Sequence, residues 1–214
     1  MGFEGWPDAA LDFYRGLEAD NSKAYWAAHK DVYERDVLAP MQALLEELAP
    51  EFGDGKIFRP YRDIRFSADK SPYKTAMGAL LASGGYVHFS ASGLGAGAGC
   101  HTMAPDQLAR YRSAVADDDR GPELEKAIAT VRGHDIQVTV HESLASAPRG
   151  FPKDHPRVEL LRNKDLSAWR EWEPAPWLGT PRAADRIIGF LHDSRPLTDW
   201  LDTNVGPTTQ QRSR

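Results

Sequence analysis

The stretch Gly84-Gly-Tyr-Val-His-Phe-Ser-Ala-Ser-Gly-Leu-Gly-Ala-Gly-Ala-Gly-Cys100 decides the reading of the fold. Gly84-Gly85 and Ser92-Gly93 have the chemistry of tight reversals, so the strand expected over Tyr86 to Ser90 pairs with its neighbours as antiparallel hairpins. On the next expected strand, Leu94 to Met103, glycine recurs at every second position from Gly93 to Gly99 and leaves one face bare. A helix or a ligand can approach the backbone closely there, helix packing being the commoner cause. The run also contains Gly93-x-Gly95-x-x-Ala98, a loose dinucleotide fingerprint. No short strand-turn-helix unit surrounds it and no acidic ribose partner follows, which excludes a Rossmann site.

Working outward, Phe58 to Phe66 and Tyr73 to Ala82 read as two earlier strands, while Ile136, Val138 and Val140 alternate with polar residues as a later one. Upstream, Ala10, Phe13, Tyr14 and Leu17 recur at helical steps, and Asp20-Asn21-Ser22 ends that helix while capping a second. The second carries the stripe Trp26, Tyr33, Val37, Met41, Leu45 and Leu48, with a kink expected at Pro40. Downstream, Pro105 and Pro122 each start an amphipathic helix, Arg157 to Asn163 reads as a short helix, Leu166 to Trp172 as a strand and Pro181 to Leu201 as a final helix. Helices, then a meander, then mixed elements predict an α+β fold with a mainly antiparallel sheet. A single domain is expected over residues 1–205, followed by a disordered tail over 206–214 that has little to bury.

Composition narrows the function classes. A single cysteine, Cys100, excludes an intrachain disulfide and a cysteine metal cage. No apolar run reaches the length of a membrane span and no signal-peptide pattern opens the chain, so a soluble, cytoplasmic protein without a membrane partner is expected. The net charge of −5 argues against nonspecific coating of nucleic acid. Its distribution is uneven. Residues 59–74 and 149–164 each hold five cations against two carboxylates, a net of +3 apiece, which leaves −11 for the rest of the chain.

The first basic segment, Arg59-Pro-Tyr-Arg-Asp-Ile-Arg-Phe-Ser-Ala-Asp-Lys-Ser-Pro-Tyr-Lys74, is the candidate site. As a strand it would place Arg59, Tyr61, Asp63 and Arg65 on one face, where a fixed ion-pair network could present a guanidinium fork to an anion. Arg62, Asp63, Arg65, Lys70, Tyr73 and Lys74 are the candidate ligand contacts, joined by Arg149 from the proline-rich loop over residues 148–156. Within that loop His155 is the candidate general acid or base, beside a reading as a loop-fixing hydrogen bonder. His141-Glu142 lacks the second histidine of a zinc helix, so no metal and no cofactor are expected, and motifs for a serine nucleophile or a phosphate-binding loop do not occur.

Asn21-Ser-Lys-Ala-Tyr-Trp26 with Lys30 and Tyr33, Tyr61-Arg-Asp-Ile-Arg-Phe-Ser-Ala-Asp-Lys-Ser-Pro-Tyr-Lys74, and Pro148-Arg-Gly-Phe-Pro-Lys-Asp-His-Pro156 followed by Leu160-Leu-Arg162 resemble a bacterial family known only as domain of unknown function 2461. The resemblance covers about residues 3 to 201 and departs from the family pattern at Ser22-Lys23, where asparagine and arginine are usual. It implies a cytosolic single-domain protein and supplies no activity. The residues themselves favour binding, with or without turnover, of a phosphorylated or otherwise anionic small ligand. A module that docks an acidic protein partner is the alternative, and single-stranded nucleic acid stacked on Tyr61 and Tyr73 is disfavoured by the overall acidity.

Overall fold

The computed structural model describes residues 2–65 and 67–210. Six strands form an antiparallel sheet in the order β1-β2-β3-β4-β6-β5, accompanied by helices, which is the α+β architecture expected. The strands are β1 (Gly55–Ile57), β2 (Ala76–Leu81), β3 (Tyr86–Ser90), β4 (Gly93–Cys100), β5 (Gln137–Thr139) and β6 (Leu166–Trp172). The chain divides into two compact units, one comprising residues 1–96 and 171–189 and the other residues 97–170 and 190–214. No described helix is long and apolar enough to cross a membrane.

The first unit begins with α1 (Asp8–Ala19) and α2 (Lys23–Ala28), and the Ser22 hydroxyl caps α2 by accepting from Tyr25 N at 3.1 Å. α3 (Lys30–Val32) then leads into a widened π-helical turn over Tyr33–Leu38 and α4 (Ala39–Phe52). The kink expected at Pro40 is absorbed by that widened turn, so the proline falls in the first turn of α4, where its missing N–H costs least. Trp26, Tyr33, Val37, Met41, Leu45 and Leu48 are all buried, as their helical spacing predicts.

Two hairpins follow. β1 pairs with β2 in the register Ile57↔Ala79, and β2 with β3 in the register Gly78↔His88. Alternation turns Met77, Ala79, Leu81, Val87 and Phe89 into the core, where Trp6 stacks on Phe89 at 4.7 Å. The opposite face presents Ala76, Gly78 and Leu80 from β2 beside Tyr86, His88 and Ser90 from β3.

The long strand expected over Phe58 to Phe66 does not form. The ladder runs out after Phe58 N, which donates to Gly78 O at 2.9 Å, because Pro60 brings no N–H to continue it. Beyond it only Tyr61 and Tyr73 bridge, flanked by Arg62 N to Pro72 O at 2.9 Å and Lys74 N to Pro60 O at 2.8 Å. Residues 62–65 and 67–71 therefore belong to a loop closed at its neck rather than to a strand with alternating faces. Phe66 lies outside the described residues.

Two of the glycines of β4 are required by the neighbouring strand. Gly93 and Gly99 have φ of +114° and +122°, and a Cβ on them would stand 2.2 Å from Trp172 O and 2.7 Å from Leu166 O. At both positions the main chain of β6, the neighbouring strand in the sheet, leaves no room for a side chain.

The second unit contains α5 (Pro105–Ala116), α6 (Arg120–Gly133) and the short α7 (Val158–Arg162). Arg157, nearly buried at the start of α7, donates to Val115 O at 2.7 Å and Asp117 O at 3.0 Å, satisfying carbonyls at the end of α5. The final helix is split into α8 (Arg182–Asp193) and α9 (Arg195–Asn204), because Pro196 cannot donate within a continuous helix and takes up the first turn of a new one. Residues 206–210, read from the sequence as disordered tail, are tied to α5. Arg110 donates to Val205 O and Pro207 O, and Thr208 donates to Asp106 at 2.7 Å. The remainder of that tail, residues 211–214, lies outside the described residues.

One side chain holds the closed loop to the helical layer of the first unit. Asn21 Nδ2 donates to Tyr73 O and Tyr73 N donates to Asn21 Oδ1, both at 3.1 Å, so the amide pairs with the main chain as a strand would. Removing it strands one donor and one acceptor of a largely buried residue. Asn21→Ala is expected to destabilise the protein by about 2 kcal/mol, read from the urea midpoint; a change of a few tenths would show the clamp to be incidental.

Candidate functional site

The neck of the loop and the open face of β2 and β3 enclose a cleft of about 540 Å³ in the first unit. Gly78, Tyr86 and His88 line it from the sheet, Phe58, Arg62, Asp69, Ser71 and Lys74 from the loop and its approaches, and Glu18 and Asn21 from the helical side. Gly78 is required for the shape of its floor. The Tyr86 hydroxyl lies 2.3 Å from where a Cβ on residue 78 would stand, so any side chain there evicts the phenol.

Inside the loop most of the cations already have partners. Arg62 pairs with Asp69, whose carboxylate also accepts Ser71 N at 2.9 Å, and together these hold Asp69 far below the usual carboxylate range. Arg65 forms a fork on Asp63 at 2.7 and 2.9 Å and holds that carboxyl below its ordinary value. Lys70 donates to Ile64 O at 3.0 Å. Lys74 differs. Its ammonium sits 5.5 Å from the centroid of the Phe58 ring, and no carboxylate lies within ion-pair distance among the described residues.

Of the residues singled out from the sequence, Arg62, Tyr73 and Lys74 line the cleft, while Asp63, Arg65 and Lys70 are engaged within the loop outside its lining. Arg149 and His155 belong to the second unit. There Arg149 is exposed, and His155 Nδ1 accepts from Arg157 N at 3.0 Å, which pins the loop before α7.

Sequence reasoning passed over several groups that the fold makes prominent. Glu18, Asn21, Phe58, Tyr86 and His88 reach the cleft from elements that only pairing and helix packing bring to the loop. For Tyr86 and His88 a signal was present, since both alternate with the apolar pair Val87 and Phe89 and so must share the other face. In the second unit, His141 Nδ1 lies 3.1 Å from Asp165 Oδ1, and the same buried carboxylate accepts His141 N at 2.8 Å and Glu142 N at 2.7 Å. Such a carboxylate orients an imidazole, and the 24 residues between the two hid the pairing. Among the described residues no group of three or more metal-ligating side chains is placed to hold an ion.

A family model described as a conserved hypothetical protein (DUF2461) matches residues 9–200. No curated protein and no solved structure matches the chain.

Burial pushes the His88 imidazole below its ordinary pKa of 6.5, opposed in part by Glu171. As the pH falls through 6.5 the unfolded chain takes up a proton that the folded chain refuses, so stability is lost on acidification and regained as the pH rises. His88→Gln should flatten the dependence of the urea midpoint between about pH 5 and pH 7. The same slope in variant and parent would mean that His88 is not held neutral.

Proposed function

We propose, for a chain that belongs to the DUF2461 family of conserved hypothetical proteins, that the cleft of the first unit binds a small phosphorylated or otherwise anionic ligand. The observation that carries this reading is the state of Lys74: an ammonium in the cleft, over an aromatic ring, with no carboxylate within ion-pair distance among the described residues. Lys74 supplies the anion anchor. Arg62 is held in place by Asp69 and contributes orientation more than charge, because the two neutralise one another. Phe58 and Tyr86 offer ring surface to an apolar portion of the ligand, and His88, kept neutral, can accept a hydrogen bond or a proton from it. Arg149 and His155 take no assigned part in this cleft.

A second reading, a module that docks an acidic protein, draws on the large apolar side chains Phe58, Tyr61 and Leu80, all exposed in the first unit together with the +3 segment. Stacking of single-stranded nucleic acid has less support, since the Tyr73 ring is covered by Trp26 at 4.3 Å and offers no free face.

Adenosine monophosphate and inorganic phosphate are suitable first probes. A ligand present at 100 times its dissociation constant adds about 2.7 kcal/mol of stability, which thermal unfolding resolves. Lys74→Ala should abolish the shift, and Lys70→Ala, outside the cleft, should retain it. A shift that survives Lys74→Ala would refute the anchor, and partner capture lost with Arg62→Glu but insensitive to both probes would favour the docking module.

A further inference from the structure

Two phenols of the protein find a carbonyl: the half-buried Tyr25 donates to Phe13 O at 2.9 Å and the buried Tyr111 to Leu160 O at 3.0 Å. The two that pack against Trp26 do not. Tyr33 and Tyr73 are each only 6% exposed, yet neither hydroxyl has a hydrogen-bond partner among the described residues. Neither hydroxyl is sealed from solvent, because Ser194 Oγ is the one described buried side-chain polar atom that lacks both a partner and access to water. Two packed rings thus keep unpaired hydroxyls in contact with solvent. The Trp26 ring lies between them, 4.8 Å from Tyr33 and 4.3 Å from Tyr73 by ring centroids. Tyr61 completes the group at 5.5 Å from Tyr73 and 6.1 Å from Trp26, and at 51% exposure it presents an open ring.

The chemistry of this cluster differs from that of the cleft. Burial first, and then the neighbouring Tyr61, raise the phenols of Tyr33, to about 12, and of Tyr73, so both stay protonated at physiological pH. A neutral phenol donates one hydrogen bond and accepts others, as a ligand hydroxyl does. Beside Tyr33, Glu34 and Lys30 form an exposed ion pair at 3.3 Å, which balances its own charge and can both accept and donate. Nothing in this set selects for net charge, whereas an open aromatic face with paired donors and acceptors suits a ring carrying several hydroxyls.

We propose that Tyr33, Tyr61 and Tyr73 form a subsite for a neutral, hydroxyl-rich ring of the sugar class, with Tyr61 as the platform and the hydroxyls of Tyr33 and Tyr73 as hydrogen-bonding partners. The subsite stands apart from the anion cleft, since Trp26, Tyr33 and Tyr61 are not among the residues lining it and Tyr73 alone is common to both.

The test is a titration of the full chain, labelled with carbon-13 in its tyrosine rings, followed by NMR with D-glucose and N-acetylglucosamine as probes and sodium acetate as the charged control. Saturable shifts confined to Tyr33, Tyr61 and Tyr73 are expected with at least one sugar. Tyr33→Phe keeps the ring and should weaken binding about tenfold, the scale of one hydrogen bond. Tyr61→Ala should abolish binding, and Lys74→Ala should leave it unchanged, which keeps this result separate from the fate of the anion cleft. No saturable shift with either sugar overturns the proposal. So does acetate acting on the same resonances, or a Tyr33→Phe variant that binds as the parent does.

Discussion

The architecture around the candidate site depends on the pairing of the Asn21 amide with the main chain of Tyr73. A closed loop has no ladder of its own to hold it, so its position is set by whatever satisfies the backbone at its neck. Here the bridge between Tyr61 and Tyr73 fixes the neck and Asn21 fixes the neck to the helices. The stacked pair Trp26 and Tyr73, nearly parallel at 6°, adds an apolar face to the same junction. One residue, Tyr73, is therefore gripped through both its main chain and its ring. The cleft on one side and the tyrosine cluster on the other are shaped by that grip.

The charge of the loop is organised differently from what its composition suggests. Of the five cations over residues 59–74, the two carboxylates in the segment take up Arg62 and Arg65 in side-chain pairs, so the net of +3 resides on Arg59, Lys70 and Lys74. These pairs are largely solvated, and their worth is in fixing the loop's conformation rather than in stabilising the fold. Of the three remaining cations only Lys74 lines the cleft, so what it offers a ligand there is a point charge beside rings instead of a guanidinium fork on a flat strand. Recognition on that basis relies on shape and on the rings around the ammonium, since a lone ammonium has little directional preference of its own.

Much of the fold was legible because periodicity and punctuation are local. The glycine reversals placed the hairpins, strand β3 was bounded correctly at Tyr86 and Ser90, and the buried stripe from Trp26 to Leu48 followed from helical spacing alone. Two of the errors share one cause, which is proline. Pro60 ended a strand that alternation alone would have carried to Phe66, and Pro196 divided a helix whose apolar pattern ran through it. The site was legible only where its residues were contiguous. Arg62, Tyr73 and Lys74 could be named from one segment, but Asn21, His88 and the His141 to Asp165 pairing needed a chain path that no local rule supplies.

The buried guanidinium of Arg157 has a consequence for how this protein can change. Its Nε stands 2.2 Å from where a Cβ on Gly121 would be, so the helix α6 passes close enough to the arginine to exclude even a methyl group. Arg157 can cap the end of α5 only while residue 121 stays bare, and a Cβ there would also stand 2.5 Å from Val115 O, the carbonyl that Arg157 caps, so residue 121 must stay bare with or without the arginine. The dependence thus runs one way: a lineage can lose the arginine and keep the glycine, whereas one that changes the glycine disturbs the end of α5 and its cap together.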